Sequence, residues 1–230
     1  MVRESYFLRV FSVFILLVSL SFTVLAIDAQ TLLKESVDNV AKLETISLEI
    51  EVEISAEGLN QKMGMRLESH LQQEVGRLEF LAPKEFAGQI IIVDKPKDIF
   101  INYYSTGQAV RMPLSQSAQS NAMSFDVSKL MELNTSDLAD LDASRYMFEV
   151  EETEKDKTAA YLVIITDSKK EYGVQKVWLQ KSDKFPLAME TYDNEGNKTM
   201  SMSFNKVEKN KNLDLDKLRT LPKGAVIFDM

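Results

Sequence analysis

Between residues 46 and 56 the chain alternates without a break. Ile46, Leu48, Ile50, Val52, Ile54 and Ala56 hold the even positions, and Ser47, Glu49, Glu51, Glu53 and Ser55 hold the odd ones. Successive side chains of a strand point to opposite faces, so this period of two specifies a long strand with one dry and one wet face. The pattern then repeats: Met63, Met65, Leu67, Leu71 and Val75 alternate with Arg66, Glu68, His70, Gln72 and Glu74. The two segments read as a long antiparallel hairpin turned at residues 57–60.

Further strands are expected at 87–93, 98–104, 108–114, 145–152, 158–166, 172–180, 186–193 and 197–208, with Pro83 closing a strand that carries Leu78 and Phe80. Residues 194–197 form a hairpin turn in which Gly196 supplies the positive φ. Residues 30–43 read as a helix with Leu32, Leu33, Val37, Val40 and Leu43 on one face. Residues 126–141 read as one or two short helices, the first capped by Asp126. Residues 213–221 read as another, with Asp214 as cap and Pro222 as terminator. The expected fold class is mainly β (α+β): one large curved antiparallel sheet, with about three short helices to cover it.

Several strands are apolar on both faces, among them 90–93, 99–101 and 161–165. A curved sheet with so few helices either leaves an apolar cavity under them or fills the space with side chains. The 11 methionines bear on that choice, since a flexible thioether suits a surface that fits variable apolar ligands, and also serves as ordinary core filler.

Composition removes most chemistries. The chain of 230 residues has no cysteine and one histidine. Thiolate nucleophiles, cysteine zinc sites, disulfides and cysteine-linked lipid anchors are therefore excluded, and a Ser-His-acid triad would have to use His70. No phosphate-binding glycine loop and no HExxH occur. Formal net charge is −8, and the densest basic stretch, 206–211, contains Glu208, so nucleic acid is not an expected partner. His70 is read as solvated on the polar face. Glu49, Glu51 and Glu53 could pair as acids for glycoside chemistry, but their spacing matches a wet strand face. No catalytic residue, cofactor or metal is expected.

At the N-terminus, Arg3 and Arg9 precede an uncharged apolar run at 10–27, and Val24-Leu25-Ala26 offers a cleavage site. This describes a secretory signal peptide over residues 1–26, followed by one domain over 27–230; the alternative is an uncleaved anchor in the inner membrane. Either way the domain is expected in the periplasm or on an extracytoplasmic face.

Several segments resemble, in order, bacterial outer-membrane lipoprotein-sorting proteins, the LolA-like group. They are LEFLAP at 78–83, FAG at 86–88, IFINYY at 99–104, TGQAVR at 106–111 and SFDVSKL at 124–130, followed by VWL at 177–179, FPL at 185–187 and YDNEG at 192–196. The resemblance implies an open half-barrel with helices as a lid over an apolar cavity. It also implies binding of lipoprotein or lipid acyl chains, an inner-membrane complex that releases the cargo and an acceptor membrane protein. The lipid-anchored relatives carry an N-terminal cysteine, so a soluble carrier is the closer reading.

The cavity candidates on this reading are Leu48, Ile50, Met63, Met65, Leu67, Phe80, Ile91, Ile101, Tyr103, Met123, Phe125, Leu130 and Trp178. Each is also readable as plain core. Arg111 is the candidate contact to the lid, with a solvated strand position as its alternative. A membrane-tethered sensor of the same fold, an enzyme and a structural envelope protein with a filled core remain rival readings. Mass spectrometry of the exported protein is expected to return an N-terminus at Ile27 or Gln30; a mass retaining residues 1–26 would establish the anchor instead.

Overall fold

The computed structural model describes residues 28–56, 59–117, 141, 144–169, 171 and 173–230. Helix α1, Ala29–Ala41, opens where the Asp28 carboxylate accepts from the Thr31 amide at 3.0 Å and its hydroxyl at 2.8 Å. This satisfies donors that the first turn leaves without partners. Ala29, Leu32, Leu33, Ser36 and Val40 are its buried face. The helix ends two residues before the expected boundary, and Leu43 packs on the core from beyond it.

Twelve strands make one sheet, in the order β12-β6-β5-β4-β3-β2-β1-β11-β10-β9-β8-β7. In chain order these are β1 Thr45–Ala56, β2 Leu59–His70, β3 Val75–Ala82, β4 Ile90–Asp94, β5 Ile99–Tyr103 and β6 Gln108–Met112. They continue with β7 Tyr146–Lys155, β8 Thr158–Asp167, β9 Val174–Gln180, β10 Pro186–Tyr192, β11 Lys198–Lys209 and β12 Val226–Asp229. All pairs are antiparallel except β12 with β6, which is parallel. The sheet is curved and does not close, so among the described residues β12 and β7 are its edges. This is the expected open half-barrel.

The connection from β6 to β7 runs between opposite ends of the sheet. Its described parts are residues 113–117, with helix α2 at Leu114–Ser117, and 141, 144 and 145 near its far end. Leu114 and Leu141 both pack on the apolar side of the sheet, one at each end of the crossover. The expected helices at 126–141 lie outside the described residues, Leu141 apart, as does the apolar run at 10–27.

Cross-strand register turns the sequence alternation into apolar rows. Phe204, Ile50, Met65 and Phe80 stand side by side across four strands, and Met189, Met202, Val52 and Met63 form the next row. Leu48, Leu67, Leu78 and Ile91 form a third. We call this side, which carries α1, the inner face.

On the outer face, β1, β2 and β11 are charged. Glu49 meets Arg66 at 3.2 Å and Lys206 at 2.8 Å, and Glu53 meets Lys62 at 2.9 Å. Exposed pairs of this kind add little stability but forbid burial of the face.

Strands β4 and β5, apolar on both faces, have two covers. Ile90, Ile92, Ile101, Tyr103 and Ala109 form an outer-face cluster with Leu221 and Ala225. The segment that covers it begins with helix α3, Leu215–Arg219, capped as expected by Asp214. Arg77 Nη1 donates to Thr220 O at 2.7 Å and Arg219 Nε to Asp94 Oδ2 at 2.7 Å, tying this strap down.

Three details depart from expectation. The unbroken strand 63–75 is two strands, because Leu71–Gln73 makes a single 3-10 turn and Glu74 takes a left-handed φ of 51°. Leu59 and Asn60 extend β2 rather than turning. Strand β12, after Pro222, has no counterpart among the strands expected from the sequence. The Asn194–Asn197 turn is as expected: Gly196 has φ 86° and the Asp193 N–H donates to Asn197 O at 2.9 Å.

The rows are the stability of the domain. Replacing Leu67, which is fully buried at 0% exposure, with Ala is expected to lower unfolding free energy by about 2–5 kcal/mol in a urea titration. Met147→Ala, on an exposed side chain of β7, is expected to change it by less than about 0.5 kcal/mol.

Candidate functional site

The candidate surface is the inner face. Leu48, Ile50, Met63, Met65, Leu67, Phe80 and Ile91 lie together there in one cluster, with Val40 of α1 and Leu114 of α2 against them. Period-two alternation sends these residues to one side, and the register places them opposite one another. All are buried except Met63, which is half-buried. The adjoining end of the face holds Val163, Ile165, Val177 and Leu179, covered by Ala29, Leu32 and Leu33 of α1.

Methionines concentrate on this surface. Met63, Met65, Met189, Met200 and Met202 belong to the same cluster, contributed by β2, β10 and β11. Three of them are only half-buried. Two of the five, Met63 and Met65, are among the residues expected from the sequence; Met189, Met200 and Met202 join them through the β1–β11 and β10–β11 pairings. Toward β6 the apolar character stops at a polar pair, where Gln89 Nε2 donates to Asn102 Oδ1 at 2.9 Å. Asn102 stands beside Ile91 on the inner face.

Three expected residues fall on the other side of the sheet. Ile101 and Tyr103 belong to the outer-face cluster under the strap. Trp178 pairs with Leu162 and Ala188, out of phase with the inner Val177 and Leu179, and the Lys155 ammonium lies 4.6 Å from its ring centroid. Ile101 and Tyr103 follow a stretch that is apolar on both faces and carries no phase signal, whereas Trp178 shares the phase of Lys176 and Gln180, which marks the outer side of β9. Met123, Phe125 and Leu130 lie outside the described residues.

Arg111 also points outward. It grips the Asp229 carboxylate of β12 through two bonds, Nε to Oδ1 at 2.5 Å and Nη2 to Oδ2 at 2.9 Å. It holds a strand rather than a helical lid.

Clefts lined by described residues open on the outer face. One of about 250 Å³ lies beneath the strap, with Ile92, Ile99, Ile101 and Leu221 as floor and Asp94, Arg111 and Arg219 at its rim. Another of about 220 Å³ is polar, lined by Glu51, Glu53, Lys155 and Glu190.

The carboxylates that sequence reasoning weighed as acids are poor ones. Hydrogen bonds from Lys206 and then Arg66 hold Glu49 below the usual carboxylate range, and Lys62 does the same to Glu53. A general acid needs the opposite shift. His70 keeps its outward phase but is covered, its side chain only 12% exposed. The segment after β11 crosses this end of the sheet, where the Thr45 hydroxyl donates to Lys211 O. Among the described residues no group of three or more His, Cys, Asp or Glu could hold a metal, and no helix is long and apolar enough to cross a membrane.

The Arg111 grip lowers the Asp229 pKa. A carboxylate whose folded pKa is depressed contributes stability above its unfolded value of 3.8, and that contribution disappears as pH falls through the folded value. Hydrogen-exchange protection of the Val226 and Met230 amides is therefore expected to fall when pH drops below that range. Asp229→Asn is expected to lower it already at neutral pH.

Comparison with solved structures places the fold. An uncharacterized conserved protein from Thermus thermophilus is 18% identical, with TM-score 0.57 over 88% of this chain and 99% of that one. MucB, solved in complex with MucA(peri), is 13% identical, with TM-score 0.57 over 86% of this chain. The chain spans 61% of the length of MucB. A LolA superfamily protein from Nitrosomonas europaea also matches, at 15% identity and TM-score 0.43 over 85% of this chain and 99% of that one. No protein-family model and no curated protein matches the sequence. The likeness to the Thermus protein and MucB is one of fold.

Proposed function

We propose that the protein is an exported carrier that binds acyl chains of lipoproteins or other lipids on its inner face and moves them between envelope membranes. On this reading residues 1–26 are removed on export and 27–230 form the carrier domain. The observation that carries it is the continuous apolar inner face. Five methionines adjoin Leu48, Ile50, Leu67, Phe80 and Ile91 there, and the remaining end lies under α1.

A hydrocarbon tail is costly to expose. About 15 methylenes represent roughly 12 kcal/mol at ~0.8 kcal/mol per CH₂. A carrier must offset most of this and still release its cargo. Helix α1 suits a cover that moves aside, because it meets the sheet through side chains and a few polar ties. Asn39 Nδ2 donates to Asp183 O at 2.9 Å and Gln30 Nε2 to Leu141 O at 3.0 Å. Methionines can repack as a tail enters beneath it. Loading and unloading would then require a releasing complex in one membrane and an acceptor in the other.

A second reading, a sensor domain that seats a protein segment, has the MucB complex with MucA(peri) on its side. Lipid extraction separates the two. Protein isolated from its own envelope is expected to yield acyl species by mass spectrometry and to take up a fluorescent fatty acid. Met63→Lys and Met189→Lys are expected to weaken uptake at least tenfold, and Met147→Lys to leave it unchanged. Absence of both extracted lipid and uptake would favour the sensor or a filled structural core.

A further inference from the structure

The two edges of the sheet are built differently. Strand β7 exposes Glu149, Glu151, Glu152 and Glu154, a row of charge of the kind that keeps edge strands from pairing with other chains. Strand β12, Val-Ile-Phe-Asp, carries no such row of charge. Val226, Ile227, Phe228 and Met230 are 55%, 43%, 51% and 76% exposed. The one charge on the strand, Asp229, is already neutralised by the two-point grip of Arg111.

The hydrogen-bond phase of β12 says which groups turn toward β6 and which turn away from it. The Val226 N–H donates to Gly107 O and the Met230 N–H to Arg111 O, both at 2.9 Å. Donors alternate along a ladder, so 226, 228 and 230 face β6, while Ile227 and Asp229 turn their N–H and C=O groups away from the sheet.

We propose that β12 pairs antiparallel with β12 of a second copy of this chain, about a twofold axis through Ile227. The segment is self-complementary in that register. Ile227 meets Ile227 of the other copy and exchanges both backbone bonds with it. Val226 stands opposite Phe228 on one face, Phe228 opposite Val226, and Asp229 opposite Ala225, so every cross-strand partner is apolar or small and no like charges face each other. Val226 and Phe228 share a face with Val110, on the inner side of the sheet. The seam therefore joins the two inner faces into one surface. A four-residue strand buries less than a standard interface, so the association is weak and concentration-dependent.

The absence of native cysteine makes the register testable. Cα atoms of a hydrogen-bonded antiparallel pair lie about 5.5 Å apart, within disulfide range. In the protein as isolated from cells, Ile227→Cys is expected to form a disulfide-linked dimer under mild oxidation at least tenfold faster than Phe228→Cys or Met147→Cys at equal concentration. Sedimentation equilibrium is expected to show self-association that Ile227→Pro weakens at least tenfold. That variant loses only the outward N–H, and an unchanged circular dichroism spectrum would show that the sheet is intact. Cross-linking at Ile227 no faster than at Met147 would overturn the proposal. So would association that Ile227→Pro leaves unchanged, or a monomer whose β12 edge captures only a different protein.

Discussion

The central strands of this sheet can be buried on one side only. Glu49, Glu51 and Glu53 alternate with Leu48, Ile50 and Val52 on β1, and the side-chain period of a strand is two. A slip of one residue against β2 or β11 would carry three carboxylates into the core and expose the aliphatic row. That penalty sets the register of β1 with both neighbours and propagates outward. Met65 is held opposite Ile50, Phe80 opposite Met65, and Met202 opposite Val52. The register shifts at Ser47/Glu49 and Gly64/Met65 fall beside these rows and leave their pairings intact.

Away from that centre a second constraint takes over. Strands β4 and β5 are apolar on both sides, so the sheet needs cover on both sides. Helix α1 with the described ends of the crossover serves the inner face, and the strap from α3 to β12 serves the outer one. The strap is attached by cation–carboxylate and cation–carbonyl contacts, Arg219 with Asp94, Arg77 with Thr220 and Arg111 with Asp229. These contacts are directional where apolar packing is not, so they aim the final residues along β6. The outcome is a sheet with one charged edge and one apolar edge.

The candidate site follows from the first constraint more than from the second. Seven of the expected cavity residues lie on β1 to β4, and six of those are in strands whose polar alternation announces which side is dry. Ile91, in the doubly apolar β4, reaches the same face through its pairing with Leu78. Ile101 and Tyr103 lie on the opposite face because the sequence around them carries too little alternation to give a phase, while Trp178 follows the outward phase of Lys176 and Gln180. Methionine content was visible in the composition, but the gathering of Met189, Met200 and Met202 beside Met63 and Met65 required three strand pairings to be known.

The amino-acid sequence by itself determined the class of fold, the long central hairpin, the helix expected over residues 30–43 and the turn at Gly196. Each is encoded over a few consecutive residues by periodicity, a capping side chain or a glycine that accepts positive φ. Tertiary structure alone decided that β11 returns to the far side of β1, that Arg111 holds Asp229 rather than a lid, and that β12 adds a parallel edge strand. Those outcomes join residues up to 166 positions apart, as in Thr45 with Lys211. No local pattern records such pairings, because their energy exists only once the sheet has brought both partners together.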